Sequence, residues 1–179
     1  MIYTTSFLTA LHATVLDPRI EGGMVRSHIS NDPGGDTFAG IARKFHGGWP
    51  GWALLDNGEP YDSPRLAELV KNFYFHNFWL RINGENLPPR IAQQVFDMAV
   101  NSGPDDAVKC LQRAIGSVLV DGDIGPKTCG AARMADPLKL AVRFNAHRCR
   151  HYAKTPQARQ SNTGGWWNRA AIQLERAVE

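Results

Sequence analysis

Residues 20–44 read IEGGMVRSHISNDPGGDTFAGIARK and hold the side chains best suited to chemistry. Glu21 stands directly before the pair Gly22-Gly23. Asp32 comes just ahead of a second pair, Gly34-Gly35, which leads straight into Asp36, Thr37 and Phe38. Two carboxylates separated by a cleft are the reagents of glycosidic bond cleavage: one stays protonated near neutral pH and protonates the leaving oxygen, and the other, ionised, steadies or activates water. Burial raises the first pKa and solvation keeps the second low. Glycine lets backbone approach a flat sugar ring where side chains would collide. The same residues also fit plainer roles, Glu21 as a solvated helix-end carboxylate and DPGGD as an ordinary turn.

These residues must be held by the elements around them. Phe7, Leu8, Leu11 and Val15 recur at helical spacing, and Asp17-Pro18 ends or kinks that helix just before Glu21. Met24 to Ile41, with its turn residues Asn31 to Gly35, predicts a small β-hairpin. GGWPGW reads as loop. Ser63-Pro64 predicts a cap followed by proline at the first helical position, and Leu66, Leu69, Val70, Phe73 and Leu80 continue a stripe. Pro88-Pro89 opens a helix with Ile91, Ala92, Val95, Phe96, Ala99 and Val100 on one face, stopped by Gly103-Pro104. Helices follow at about 105–115, 126–135, 137–154 and 165–178. The fold class is mainly α with one small β-hairpin near residues 24–41.

Charge narrows the partners. Residues 1–136 hold 12 Lys and Arg against 15 Asp and Glu, whereas residues 137–179 hold 8 against 2. A basic final quarter suits an anionic polymer such as nucleic acid, acidic lipid or cell-wall glycan, or simply the solvated face of helices. Without an arginine-rich arm or RNA-binding signature, nucleic acid is not expected. The apolar run FLTALHATVL is too short to span a bilayer and lacks a signal-peptide pattern, so neither stable membrane insertion nor self-directed export is expected. Cys110, Cys129 and Cys149 read as reduced, buried filler. DGDIG at 121–125 begins like a calcium loop but lacks the ligands to finish one. His147 and His151 share a helical face, the spacing by which a zinc amidase or peptidase holds its metal, yet nothing nearby completes a ligand set. No metal and no other cofactor is expected. Trp79 reads as core, and of Trp166 and Trp167 one reads as core and one as near a groove.

Two resemblances sharpen this reading. Glu21, Asp32 and Thr37, written E-x10-D-x4-T, resemble the acid, base and water-holding threonine of the phage-type lysozymes. The segments EGG, NDPGGDTFAGIAR, FDMAVNSG, LQRAIG, DGDIGPKT and GGWWNRA, in that order, resemble glycoside hydrolase family 108, the N-acetylmuramidases of bacteriophage endolysins and their bacterial relatives. The resemblance runs from residue 5 to about 175. Met24 departs from it, since an aromatic residue often follows EGG in the family.

The resemblance implies a lysozyme-like catalytic lobe over 1–104 and a helical peptidoglycan-binding region over 105–179 packed on it. It implies hydrolysis of the β-1,4 bond between N-acetylmuramic acid and N-acetylglucosamine with Glu21 as acid; the resemblance to phage-type lysozymes adds Asp32 with Thr37 as the water-directing pair, with inversion, and Asp36 is the rival carboxylate. Gly34, Gly35, Asp36, Phe38, Asp97, Asn101 and Trp166 are the expected substrate-binding set. Arg148, Arg150, Arg159 and Arg169 are expected to grip anionic glycan. The implied setting is a monomeric endolysin made in the host cytoplasm, acting on glycan strands in the periplasm after passage through a separate holin. The alternative is a non-catalytic wall-binding or secretion-assisting protein.

Overall fold

The computed structural model describes residues 2–28, 35–154 and 163–178. Among them are eight α-helices: α1 (Thr5–Thr14), α2 (Gly51–Asp56), α3 (Pro64–Tyr74), α4 (Pro89–Ser102), α5 (Pro104–Ile115), α6 (Pro126–Met134), α7 (Pro137–Ala153) and α8 (Thr163–Val178). Three short strands, β1 (Arg26–His28), β2 (Asp36–Phe38) and β3 (Ile41–Ala42), form one antiparallel sheet in the order β1-β2-β3. The mainly α class with a small β element is therefore the observed one. The pairing sets Ser27 opposite Thr37 and Phe38 opposite Ile41.

Local chemistry accounts for most boundaries. The Ser63 hydroxyl accepts the Arg65 amide at 3.2 Å and Pro64 opens α3, so an orphan donor of the first turn is satisfied where proline costs nothing. The Asp136 carboxylate does the same for the Lys139 amide at 2.8 Å ahead of Pro137. Gly103, with φ +94°, both ends α4 and precedes Pro104 at the start of α5. After α3 the chain makes a π-helical turn over Phe75–Trp79. The helical stripe stops there: Trp79 is fully buried, while Leu80, expected on the apolar face, is half-exposed.

The chain divides into two compact units, 11–77 and a second one comprising 1–10 with 78–179, so the division falls inside α1. In the unit 11–77, α2 packs on α3, and Phe38, Trp49 and Tyr61 form an aromatic cluster with ring centroids 6.1 and 5.5 Å from Phe38. In the other unit α4 packs on α5 and α7, α5 on α7, and α7 on α8. Phe7, Trp79 and Phe96 interlock there at 5.6 to 6.1 Å, and such pairs contribute about 0.5–1.5 kcal/mol each beyond the area they bury. The buried Trp79 indole donates to Glu85 Oε1 at 2.6 Å.

Candidate active site

Glu21 is presented by a turn, not by the helix itself. After α1 ends at Thr14, the Asp17 carbonyl accepts from the Ile20 and Gly22 amides at 3.0 and 3.3 Å, and the Asp17 carboxylate accepts from the Arg19 amide at 2.8 Å. Pro18 fits this turn because Asp17, with its side chain folded back onto Arg19, closes it without needing an amide from residue 18. Gly22 and Gly23 then take φ +85° and +81°, which L side chains rarely adopt. The Gly23 amide returns to the Val15 carbonyl at 3.1 Å. The glycine pair thus has a conformational reason to follow the glutamate, in addition to clearing space for a sugar.

The opposite wall of this turn comes from the residues between β2 and β3. Ala39 and Gly40 have φ +48° and +76°, and Tyr74 from α3 donates its hydroxyl to the Ala39 carbonyl at 2.7 Å. A methyl group placed on Gly40 would stand 2.7 Å from Tyr74 Oη and 3.0 Å from Glu21 Oε2. The half-buried Glu21 carboxyl, the Tyr74 hydroxyl and the bare α-carbon of Gly40 therefore converge on one spot. Sequence reading missed Gly40 and Tyr74. A glycine directly after the hairpin motif was the one available signal.

The sheet carries the other expected residues. Thr37 and Ser27 face each other across β1 and β2, with their hydroxyl oxygens 2.6 Å apart. Asp36 accepts a fork from Arg26, Nε to Oδ1 at 3.0 Å and Nη2 to Oδ2 at 2.7 Å, and a longer bond from Arg43 at 3.4 Å. Arg43 also grips Asp56 of α2 at 2.9 and 2.6 Å. The Arg26 fork, followed by Arg43, holds the Asp36 carboxyl below the usual carboxylate range, against the opposing effect of burial. Gly35, with φ +65°, leads into β2. Asp32 and Gly34 lie outside the described residues. Phe38, expected to touch sugar, is instead fully buried in the aromatic cluster, because β2 alternation turns it inward. In the same unit His46, Trp49, Phe73, His76 and Asn77 line a cleft of about 450 Å³, and burial pushes the His46 imidazole down.

Asp97, Asn101 and Trp166 belong to the other unit. Asp97, expected to hydrogen-bond substrate or Glu21, is fully buried and taken up internally: Arg169 Nε donates to Oδ1 at 2.9 Å, Arg169 Nη2 donates to its backbone carbonyl at 3.1 Å, and Arg148 Nη2 lies 2.5 Å from Oδ2. A carboxylate sealed in the interior requires such partners. The same contacts correct the expected role of Arg148 and Arg169 as glycan-gripping surface residues, since Arg148 is 0% and Arg169 7% exposed. Asn101 is half-buried and accepts from the Ser102 hydroxyl at 3.1 Å. Trp166 stacks on Tyr152 at 5.2 Å, whereas Trp167 is 45% exposed. Arg159 lies outside the described residues. In the DGDIG loop, Gln112 donates to Asp121 Oδ1 and the Asp123 carbonyl and accepts from the Gly122 amide, at 2.7 to 2.9 Å, which gives the motif an internal scaffold. Among the described residues no group of His, Cys, Asp and Glu is placed to hold a metal ion.

Known proteins resemble the chain over most of its length. The family profile described as Glycosyl hydrolase 108 matches residues 14–103, and one described as Predicted Peptidoglycan domain matches 106–171. Among solved structures the chain is similar to that of Brucella abortus SagA, at 27% identity over 97% of this chain and 94% of that one, with a TM-score of 0.75. No curated protein matches significantly. Together the two profiles support a glycoside hydrolase directed at peptidoglycan.

Proposed function

The chain belongs to the glycosyl hydrolase 108 family, and from that premise we propose that it cleaves the β-1,4 bond between N-acetylmuramic acid and N-acetylglucosamine with Glu21 as general acid. One observation carries the assignment: the Glu21 carboxyl sits on a turn built by two left-handed glycines and meets the bare α-carbon of a third glycine, Gly40, beside the Tyr74 hydroxyl. A sugar oxygen can approach such a carboxyl closely, and the proton it delivers is typically worth a hundredfold to about ten-thousandfold in rate.

The second half of the reaction needs an ionised carboxylate and a held water. Asp36 is ionised, yet its oxygens already accept arginine N–H groups, which lowers its basicity and occupies the lone pairs a water proton would need. This supports Asp32 as the base, Asp36 as a brace of the sheet, and Thr37 as the hydroxyl that steadies the water. The proposed outcome is inversion, for which the two carboxyls stand roughly 6.5–9.5 Å apart. The C-terminal region, 105–179, is proposed to hold the glycan strand.

The proposal extends to an endolysin setting. In that setting a separate holin delivers the enzyme from the cytoplasm to the wall and the enzyme acts as a monomer; no helix among the described residues is long and apolar enough to cross a membrane.

The test is digestion of purified peptidoglycan followed by mass spectrometry, with wild type and Glu21→Gln side by side. Reducing-end muramic acid from wild type only, with equal melting temperatures, is the expected result. Freed stem peptides would point to an amidase, and unchanged glycan to a wall-binding protein without catalysis. A Glu21→Gln lytic rate within about threefold of wild type would remove Glu21 from the role of acid.

A further inference from the structure

With Arg148 and Arg169 spent inside the protein, the basic surface of the C-terminal region concentrates elsewhere. Asp106 and Arg113 on α5, and His147, Arg150, His151 and Lys154 on and just after α7, line one concavity of about 340 Å³. The α7 residues follow the spacing i, i+3, i+4, i+7, so they form one stripe along the helix, and α5 packs against α7 beside it. We propose that this cleft binds an oxyanion of the bacterial wall, a peptide-stem carboxylate or a wall-polymer phosphodiester.

Three arguments lead there. The first is charge: Arg113, Arg150 and Lys154 are permanent cations around a single carboxylate, Asp106, which lies 3.9 Å from His151 Nε2. One acid does not neutralise three bases. The second is placement. Arg150 in the last turn of α7 and Lys154 at its C-cap are each suited to the negative end of the helix, but they set like charges side by side at one rim of the concavity, where an anion would bridge them. The third is the electrostatic environment of His147. Burial first, then Arg150 and Arg113, push its imidazole below the ordinary histidine value, so it already experiences a positive field in a partly dehydrated site. The thiols and phenol close by add no negative charge: burial pushes the Cys110 thiol up to about 11 and raises the Cys149 thiol and the Tyr152 hydroxyl as well. The guanidinium groups can meet carboxylate or phosphate oxygens as a fork.

Only the source of the anion rests on the proposed muramidase function; the site itself does not. The experiment titrates the full-length protein with two soluble probes, the free tetrapeptide stem and a glycerol-phosphate oligomer, with chitotetraose as the uncharged control. The readouts are the His147 and His151 imidazole NMR signals and calorimetry at 20 and 500 mM salt. At least one anionic probe is expected to bind, to raise the His147 pKa, and to weaken at least tenfold across that salt range, because screening lengths shrink from tens of Å to a few. The probe that binds names the source. Arg113→Gln with Arg150→Gln is expected to weaken binding at least tenfold while the melting temperature stays at the wild-type value; if the pair fails to fold, Lys154→Gln and the wild-type imidazole shifts decide. Binding of neither anion, or equal binding by a folded double variant, overturns the proposal. Anion binding without any glycan cleavage by wild type would instead overturn the muramidase reading and leave this site standing.

Discussion

Asp97 offers the sharpest separation between a structural and a substrate-contacting role. Its carboxylate and the Arg148 side chain are both 0% exposed, and that of Arg169 is 8%. Asp97→Ala leaves two guanidinium groups in the interior with no counter-charge, and breaking a buried pair in this way costs about 3–5 kcal/mol. For a chain of this size each kcal/mol moves the melting temperature by about 2–4 °C, so a fall of roughly 6–20 °C is expected. Asp97→Asn keeps an acceptor for Arg169 and should lose about half as much free energy. Replacing all three residues together, Asp97→Leu with Arg148→Met and Arg169→Met, should recover much of the loss, since a well-packed apolar triad has no charge to desolvate. The assay is urea and thermal unfolding beside glycan cleavage measured well below the melting point. An Asp97→Asn enzyme that melts within about 2 °C of wild type but cleaves more than tenfold slower would refute the reasoning and return Asp97 to the substrate.

Three further outcomes follow from the geometry. Gly40→Ala must hold a side chain at φ +76° and push against Glu21 Oε2 and Tyr74 Oη, so it should lose about 1–2 kcal/mol of stability and at least tenfold in cleavage, read by unfolding and by turnover; near-normal turnover would separate Gly40 from the acid. Because Arg26 depresses the Asp36 pKa, the pair stabilises the fold above the ordinary carboxylate value near 4 and loses that contribution as pH falls below it. Asp36→Asn should therefore be less stable than wild type at pH 7, with the gap narrowing as pH falls below the ordinary carboxylate range, which acid titration of the unfolding midpoint measures. Gln112→Ala removes three hydrogen bonds from the DGDIG loop and should cost about 1–3 kcal/mol and weaken sedimentation with purified sacculi, while cleavage of a short glycan oligomer persists.

Much of the fold was legible because its signals are local. Ser63-Pro64, Pro88-Pro89 and Gly103-Pro104 each mark a boundary through the chemistry of one or two residues. What escaped depends on contacts between segments. The helix α2 is only six residues, too short to show a period, and hides in the glycine-rich GGWPGW. Gly51 there lies under the Trp49 ring, where a methyl group would come within 2.1 Å of Cη2, so that glycine serves aromatic packing and not a loop. The Arg26–Asp36–Arg43–Asp56 network was likewise invisible, because it exists only once β1, β2 and α2 are in register. Glu21 could be singled out as a candidate by its place before Gly22-Gly23, whereas Tyr74, 53 residues further along the chain, could not.

The charge count shows why composition misplaces function. Residues 137–179 carry 8 basic side chains against 2 acidic ones, and read linearly that excess is all surface. Folding withdraws Arg148 and Arg169 to neutralise one carboxylate from α4, a helix outside that segment. Burying a charge is tolerable only beside its counter-charge, so part of the excess reports an acid elsewhere in the chain. The excess left at the surface is sorted by helical phase: Arg148, two residues before Arg150, points inward while Arg150 points out. Two arginines of α7 separated by one residue thus serve opposite ends, one closing the core and one facing solvent beside Arg113, His147 and Lys154. A net charge suggests that an anion is wanted; helical phase and burial decide whether that anion is the protein's own or a polymer's.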